Sequence, residues 1–165
     1  MKSIIILGLV LSTTIAFATA PEEVAWRKNR LAGGPAILFN IGGGVRASYE
    51  RMVVTFLGLG AGLGEYTSFF TDSGTTAMGR ATYYLPVVGG RARAYLGLGA
   101  GYMTHTEHPF FSPGVTYREE GFAAEVRPGF EFMFTNLFGM ALDSTIVVFK
   151  NKGFYNPGVE FLFYF

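Results

Sequence analysis

The sequence predicts an all-β chain: a closed antiparallel transmembrane β-barrel of eight strands that follows a cleaved signal peptide. Three observations carry this. The 165 residues include 23 Gly, 17 Phe and 9 Tyr, and only 15% are charged. From Gly34 onward, bulky apolar residues alternate with small or polar ones at a period of two. The alternating segments run near ten residues, the length a strand needs to cross a bilayer. Finally, Phe56-LGLGAG-Leu63 recurs as Tyr95-LGLGAG-Tyr102 after 39 positions, a spacing that fits two strands and their connections.

Composition excludes several classes. Cysteine is absent, so there are no disulfides, thiolate metal sites or cysteine nucleophiles. A formal net charge of +1 leaves no electrostatic footprint for nucleic acid. The repeated glycines alternate with leucines and open no helix, so they form no dinucleotide-binding loop.

The first element is residues 1–18, read as a signal peptide. Lys2 is its positive end, Ile4 to Leu11 its apolar core, and both 16–18 and 18–20 are A-x-A cleavage patterns. Cleavage after Ala18 is preferred, because cleavage after Ala20 leaves Pro21 at the cut. The apolar run is too short to span ~30 Å of hydrocarbon. Residues 19–33 form a lead-in. Glu22 and Glu23 early, with Arg27, Lys28 and Arg30 late, suit a short helix over 21–31, and an unstructured segment fits equally.

Residues 34–165 form the barrel. Strands are expected near 34–41, 44–50, 53–66, 75–85, 92–104, 120–134, 138–149 and 154–165. Whether 34–50 is one strand or two stays open, which sets the count at seven or eight; bacterial barrels close with even numbers. Connections 51–52, 86–91 and 135–137 are short, whereas 67–74 and 105–119 are long. Short turns belong in the periplasm and long loops outside, so both termini are expected in the periplasm.

Alternation assigns the faces. Leu96, Leu98, Phe122, Phe130, Ile146 and Phe161 point outward to lipid. Arg46, Arg80, Arg93 and Arg127 point inward, with Glu50, Glu125, Glu131, Asp143 and Glu160. Unpaired charges in a narrow interior cost several kcal/mol each, so these residues are expected to pair across the lumen. Eight strands leave room only for side chains or one small ligand. Gly58 to Gly64 and Gly97 to Gly101 make space there for arginines and for Tyr84 or Tyr95.

The remaining candidates are weaker. His105, Glu107 and His108 place metal-ligating types together in an expected loop, but without the H-E-x-x-H order or a fixed geometry. No metal and no cofactor is expected. Asp72, Ser73, His105 and Ser112 are the residue types of a hydrolase, yet no spacing names a nucleophile and its base. Phe69, Phe70, Phe110, Phe111 and Tyr117 either cap the barrel mouth or form a ligand-contacting tip.

The segments GPAILFNIGGGVRASYERM, ARAYLGLGAGYM and GFAAEVRPGFEF resemble the small outer-membrane β-barrel domains of bacteria, the eight-stranded group that includes outer-membrane protein A and X-like barrels. The resemblance covers 34–165 and implies an integral protein of the bacterial outer membrane, surrounded by its lipid. Val159, Phe161, Phe163 and Phe165 are similar to the C-terminal signal read by the barrel-assembly machinery. The function expected is that of a non-enzymatic barrel with a plugged polar interior. Its role is structural, or it meets a surface ligand at loops 67–74 and 105–119. The alternatives are a lipid-modifying enzyme of deacylase or acyltransferase type, or a narrow pore.

Overall fold

The computed structural model describes residues 27–38, 42–68, 72–85, 91–107 and 116–165. The signal-peptide residues, most of the lead-in, Phe69, Phe70, His108, Phe110, Phe111 and Ser112 lie outside these. The described residues form eight strands: β1 (Asn29–Leu38), β2 (Gly42–Val54), β3 (Leu57–Ser68), β4 (Asp72–Tyr84), β5 (Ala92–Glu107), β6 (Tyr117–Met133), β7 (Phe138–Phe149) and β8 (Lys152–Tyr164). Each pairs antiparallel with the next, and β8 returns to β1 to close the barrel. The shortest strand has 10 residues, enough to cross a bilayer at the usual tilt.

Several boundaries differ from the sequence expectation. β1 begins at Asn29, so residues 29–33 are strand rather than lead-in and the helix over 21–31 does not extend to them. What sets this start is non-local. The Asn29 N–H donates to the Phe165 carbonyl at 3.1 Å, and the Phe165 N–H donates to the Asn29 carbonyl at 3.0 Å, at the seam that closes the barrel. Residues 34–50 divide into two strands that meet at the connection 39–41, and Gly42 to Gly44 open β2.

β2 continues through 51–52, the expected turn, as far as Val54. The register shifts between Met52 and Val54, which leaves both Val53 and Val54 exposed and masks the period of two. At the other end the strands outrun the sequence pattern, and the connections expected at 67–74 and 105–119 shrink to 69–71 and 108–116. β7 and β8 join through Lys150 and Asn151, whose φ values of 45° and 65° make the tight hairpin turn that matches strand twist.

Both chain ends of the barrel, with connections 55–56, 85–91 and 134–137, lie at one rim, here the terminal end. Connections 39–41, 69–71, 108–116 and 150–151 lie at the loop end.

The outer wall is apolar. Phe122 is 70% exposed, and Leu96, Leu98, Ile146 and Phe161 are exposed as well, while Phe130 is half-buried by its neighbours. Phe132–Phe134, Phe138–Phe163 and Phe163–Phe165 are aromatic pairs near the terminal rim. Inside, Tyr84, Tyr95, Met133, Leu162 and Tyr164 pack toward the terminal end, and Tyr66, Met78, Met103, Phe149 and Phe154 toward the loop end. Charged residues fill the space between. A water-soluble barrel has the opposite arrangement, with polar residues outside.

Inward glycines set how closely the strands approach. A Cβ at Gly101 would run into the backbone of Ala77 and Met78 on β4, whereas at outward-facing Gly79 the nearest atom is an ordinary 3.7 Å away. Gly101→Ala is therefore expected to destabilise the barrel by about 1–3 kcal/mol, the usual cost of overpacking. Gly79→Ala should change little. Urea titrations of the two refolded variants check this, and equal midpoints would contradict the close approach.

Candidate functional site: the charged lumen

Period-two alternation turns one residue in two toward the lumen, and the register decides which of these meet. Asp143 on β7 and Glu160 on β8 are near-diagonal neighbours, since Asp143 pairs with Gly158 and Ala141 with Glu160. Two arginines bracket them from opposite walls. Arg127 of β6 reaches Asp143 Oδ2 at 2.7 Å and also pairs with Glu160. Arg46 of β2 reaches Asp143 Oδ1 at 2.6 Å and Glu160 Oε1 at 2.9 Å. The Arg46 guanidinium occupies the space that a Cβ at Gly158 would take.

The terminal-end side of the belt centres on Glu131. Arg30 Nε donates to its Oε2 at 3.1 Å, Arg93 donates to its Oε1, and the Tyr164 hydroxyl donates to Oε1 at 2.7 Å. Arg30 also approaches Glu160 at 3.6 Å and so links the two halves. The Arg93 guanidinium lies 3.6 Å from the centre of the Tyr84 ring, a cation–π contact. Elsewhere Arg80 Nε donates to Glu125 at 2.6 Å. Its guanidinium fills the space left by Gly62, and its stem lies over Gly97. Glu50 meets hydroxyls: Thr82 donates to it at 2.6 Å, and Tyr84 donates to its other oxygen.

Arg46, Arg80, Arg93, Arg127, Glu50, Glu125, Glu131, Asp143 and Glu160 thus all face the lumen. One member was missed. Alternation from Gly34 gave four arginines against five acids, and Arg30 supplies the fifth positive charge at 2% exposure. The signal was available, since Arg30 and Ala32 keep the inward parity of Gly34 and Ala36 while Leu31 points out. The Gly33-Gly34-Pro35 run obscured it. The tyrosine and threonine hydroxyls that complete the belt were also not anticipated as its donors, apart from the space-filling expected of Tyr84 and Tyr95.

His105 requires correction. It was expected in a loop, but β5 runs on to Glu107 and turns the ring into the barrel, where it is 4% exposed. Its Nδ1 lies 2.8 Å from the Tyr66 hydroxyl and its ring 5.3 Å from that of Phe154. Glu107 is exposed at the strand end, and His108 lies outside the described residues. No group of three metal-ligating side chains occurs among the described residues. Asp72 and Ser73 open β4, and Ser112 lies outside the described residues.

Between the belt and the loop-end apolar layer is a small cavity of about 40 Å3. Arg46, Ser48, Glu125, Thr145, Asn156 and Phe154 are among its walls. Val159, Phe161 and Phe163 on β8, with Phe165 just beyond it, share the outward side, and Phe163 packs between Phe138 and Phe165 at ring distances of 5.0 and 5.7 Å.

No protein-family profile and no curated protein matches the chain. Solved structures do. The N-terminal β-barrel domain of Pseudomonas aeruginosa OprF superposes with a TM-score of 0.65 at 18% identity, covering 84% of this chain and 99% of that one. Neisserial surface protein A (NspA) gives 0.62 at 14% identity, covering 85% and 96%. Ail, the attachment invasion locus protein of Yersinia pestis, gives 0.57 at 13% identity, covering 84% and 99%. A closed antiparallel ring of eight strands, a charged interior and these superpositions together give the chain the fold of the small bacterial outer-membrane β-barrels.

Proposed function

We propose that this protein is a non-enzymatic integral outer-membrane barrel whose lumen is plugged by its own side chains, and that it acts structurally or by contact at its loop end. The observation that carries this is the lumen belt. Five arginines pair with four carboxylates in the lumen, a fifth carboxylate is held by hydroxyls, and opening a water-filled path requires separating several buried pairs. In this reading residues 1–18 are removed on export, both termini lie in the periplasm, and outer-membrane lipid surrounds the apolar wall. The barrel-assembly machinery engages β8 through Val159, Phe161, Phe163 and Phe165. Ail has also been solved in complex with the heparin analogue sucrose octasulfate, which is in keeping with an external ligand for a barrel of this fold. The connections at 69–71 and 108–116 are the sites for it here.

The lipid-modifying alternative has less support, because the His105 ring nitrogen meets a tyrosine hydroxyl rather than a serine or carboxylate that would complete a nucleophile–base pair. Planar-bilayer recording of the refolded mature protein separates plug from pore. The expected result is the absence of steady nanosiemens-scale openings. Steady openings of that size would replace the plugged reading with a porin one.

A further inference from the structure

The charges outside the lumen are distributed unequally between the two rims. At the loop end, Glu65, Asp72, Glu107, Glu119 and Glu120 accompany Arg118, Lys150 and Lys152. Two of those cations are paired: Lys152 with Glu119 at 3.0 Å and Arg118 with Glu120 at 3.5 Å. At the terminal end, the described residues include Arg27, Lys28, Arg51 and Arg91 and no aspartate or glutamate outside the lumen. Arg91 donates to the Phe134 carbonyl at 3.2 Å, whereas Arg51 has no hydrogen bond or ion pair among the described residues.

The position of Arg51 decides what can satisfy it. It stands on the outward face of β2, opposite Asn29 on β1 and Leu59 on β3. Toward the barrel middle its same-face neighbour is Tyr49, and toward the rim it is followed by Val53, Val54 and Phe56, all exposed. Asn29 beside it accepts a hydrogen bond from the Tyr49 hydroxyl at 2.9 Å and donates its side-chain amide to the Phe165 carbonyl at 3.1 Å. A fixed polar ledge therefore flanks, within an apolar wall, a guanidinium that is unpaired among the described residues. Aromatic rings and cations at such a boundary sit at headgroup depth, where a cation gains by contact with an anionic lipid.

We propose that Arg51, on the Asn29–Tyr49 ledge, binds the phosphate of an anionic phospholipid in the leaflet at the terminal end. A guanidinium offers a forked pair of donors that matches two phosphate oxygens, and the Asn29 and Tyr49 side chains hold the adjacent backbone seam in place. A soluble anionic partner fits less well, because it would have to displace lipid from Tyr49 and Val53 to reach this side chain. The proposal rests on the membrane-spanning reading of the barrel.

The test uses the full mature chain refolded in a neutral detergent and titrated with phosphatidylglycerol or phosphatidylcholine, with retained lipid counted by native mass spectrometry. Wild type is expected to retain phosphatidylglycerol preferentially. Arg51→Gln should lower that retention about fivefold, the usual effect of one cation near an anionic lipid surface. Arg51→Lys should recover part of it, and Arg118→Gln, at the other rim, should leave it unchanged. Inorganic phosphate added in excess should not compete, since the site is completed by the acyl chains on the adjacent wall. Unchanged retention in Arg51→Gln, an equal loss in Arg118→Gln, or full displacement by inorganic phosphate would each overturn the proposal. Insertion of wild type and variants into phosphatidylcholine vesicles is measured in parallel. If wild type fails to insert, the membrane reading fails and the site with it; if all insert alike, a loss in the lipid count belongs to the site alone.

Discussion

Replacing Arg127 with alanine is expected to cost roughly 3–5 kcal/mol of barrel stability, the range measured when one partner of a buried ion pair is removed. Arg127 is 2% exposed and holds Asp143 and Glu160, whose side chains are fully buried. Its loss leaves two carboxylates facing the two arginines that remain, Arg46 and Arg30, with the longer Arg30 contact at 3.6 Å as partial compensation. The Asp143 bond from the Tyr95 hydroxyl, at 3.3 Å, is too long to replace a guanidinium. Arg118→Ala is the comparison, because that side chain is mostly exposed and its pair with Glu120 spans 3.5 Å. An exposed pair of this kind contributes less than ~1 kcal/mol. Urea titration read by the gel mobility of folded barrel checks both variants. Equal midpoints would mean that the lumen is wet enough to screen its charges.

Leu98→Arg is expected to lower stability in a bilayer by about 2–4 kcal/mol, the cost of a guanidinium on the lipid face near the midplane of a transmembrane barrel. Leu98 lies near the middle of β5, with Ala81 on one side and Val126 on the other, and it is 56% exposed. On a wet protein surface the same change falls within about 0.5 kcal/mol of neutral. The measurement is insertion yield into phosphatidylcholine vesicles, followed by urea titration of the inserted fraction. A variant that inserts and resists urea like wild type would place this wall in water and end the transmembrane reading.

The pattern of faces was legible in the chain because the period of a strand is a local property. Phe122, Leu98, Ile146 and Phe161 point outward, and Arg127, Asp143 and Glu160 point inward, wherever the strand ends fall. Strand ends were less legible. A strand stops where its partner stops offering hydrogen bonds, and that partner can be far away in sequence. Asn29 is held by Phe165, and β5 reaches Glu107 because Tyr117 lies opposite it on β6. The bulge before Val54 and the glycine–proline run at 33–35 broke the pattern locally without breaking the strands.

By itself, the sequence determined the barrel class, the outward apolar wall and nearly all of the buried charges, since each follows from alternation and residue type. Only the tertiary structure decided which charges meet. Arg46 reaches Asp143 and Glu160 across the bore from β2 to β7 and β8, Arg30 enters the lumen to balance the fifth carboxylate, and Glu50 is satisfied by hydroxyls instead of an arginine. His105 moved from a supposed loop to a buried contact with Tyr66 for the same reason. Closing the ring brings together side chains from strands that are not adjacent in sequence, and the angle and register of closure are set by all eight strands at once.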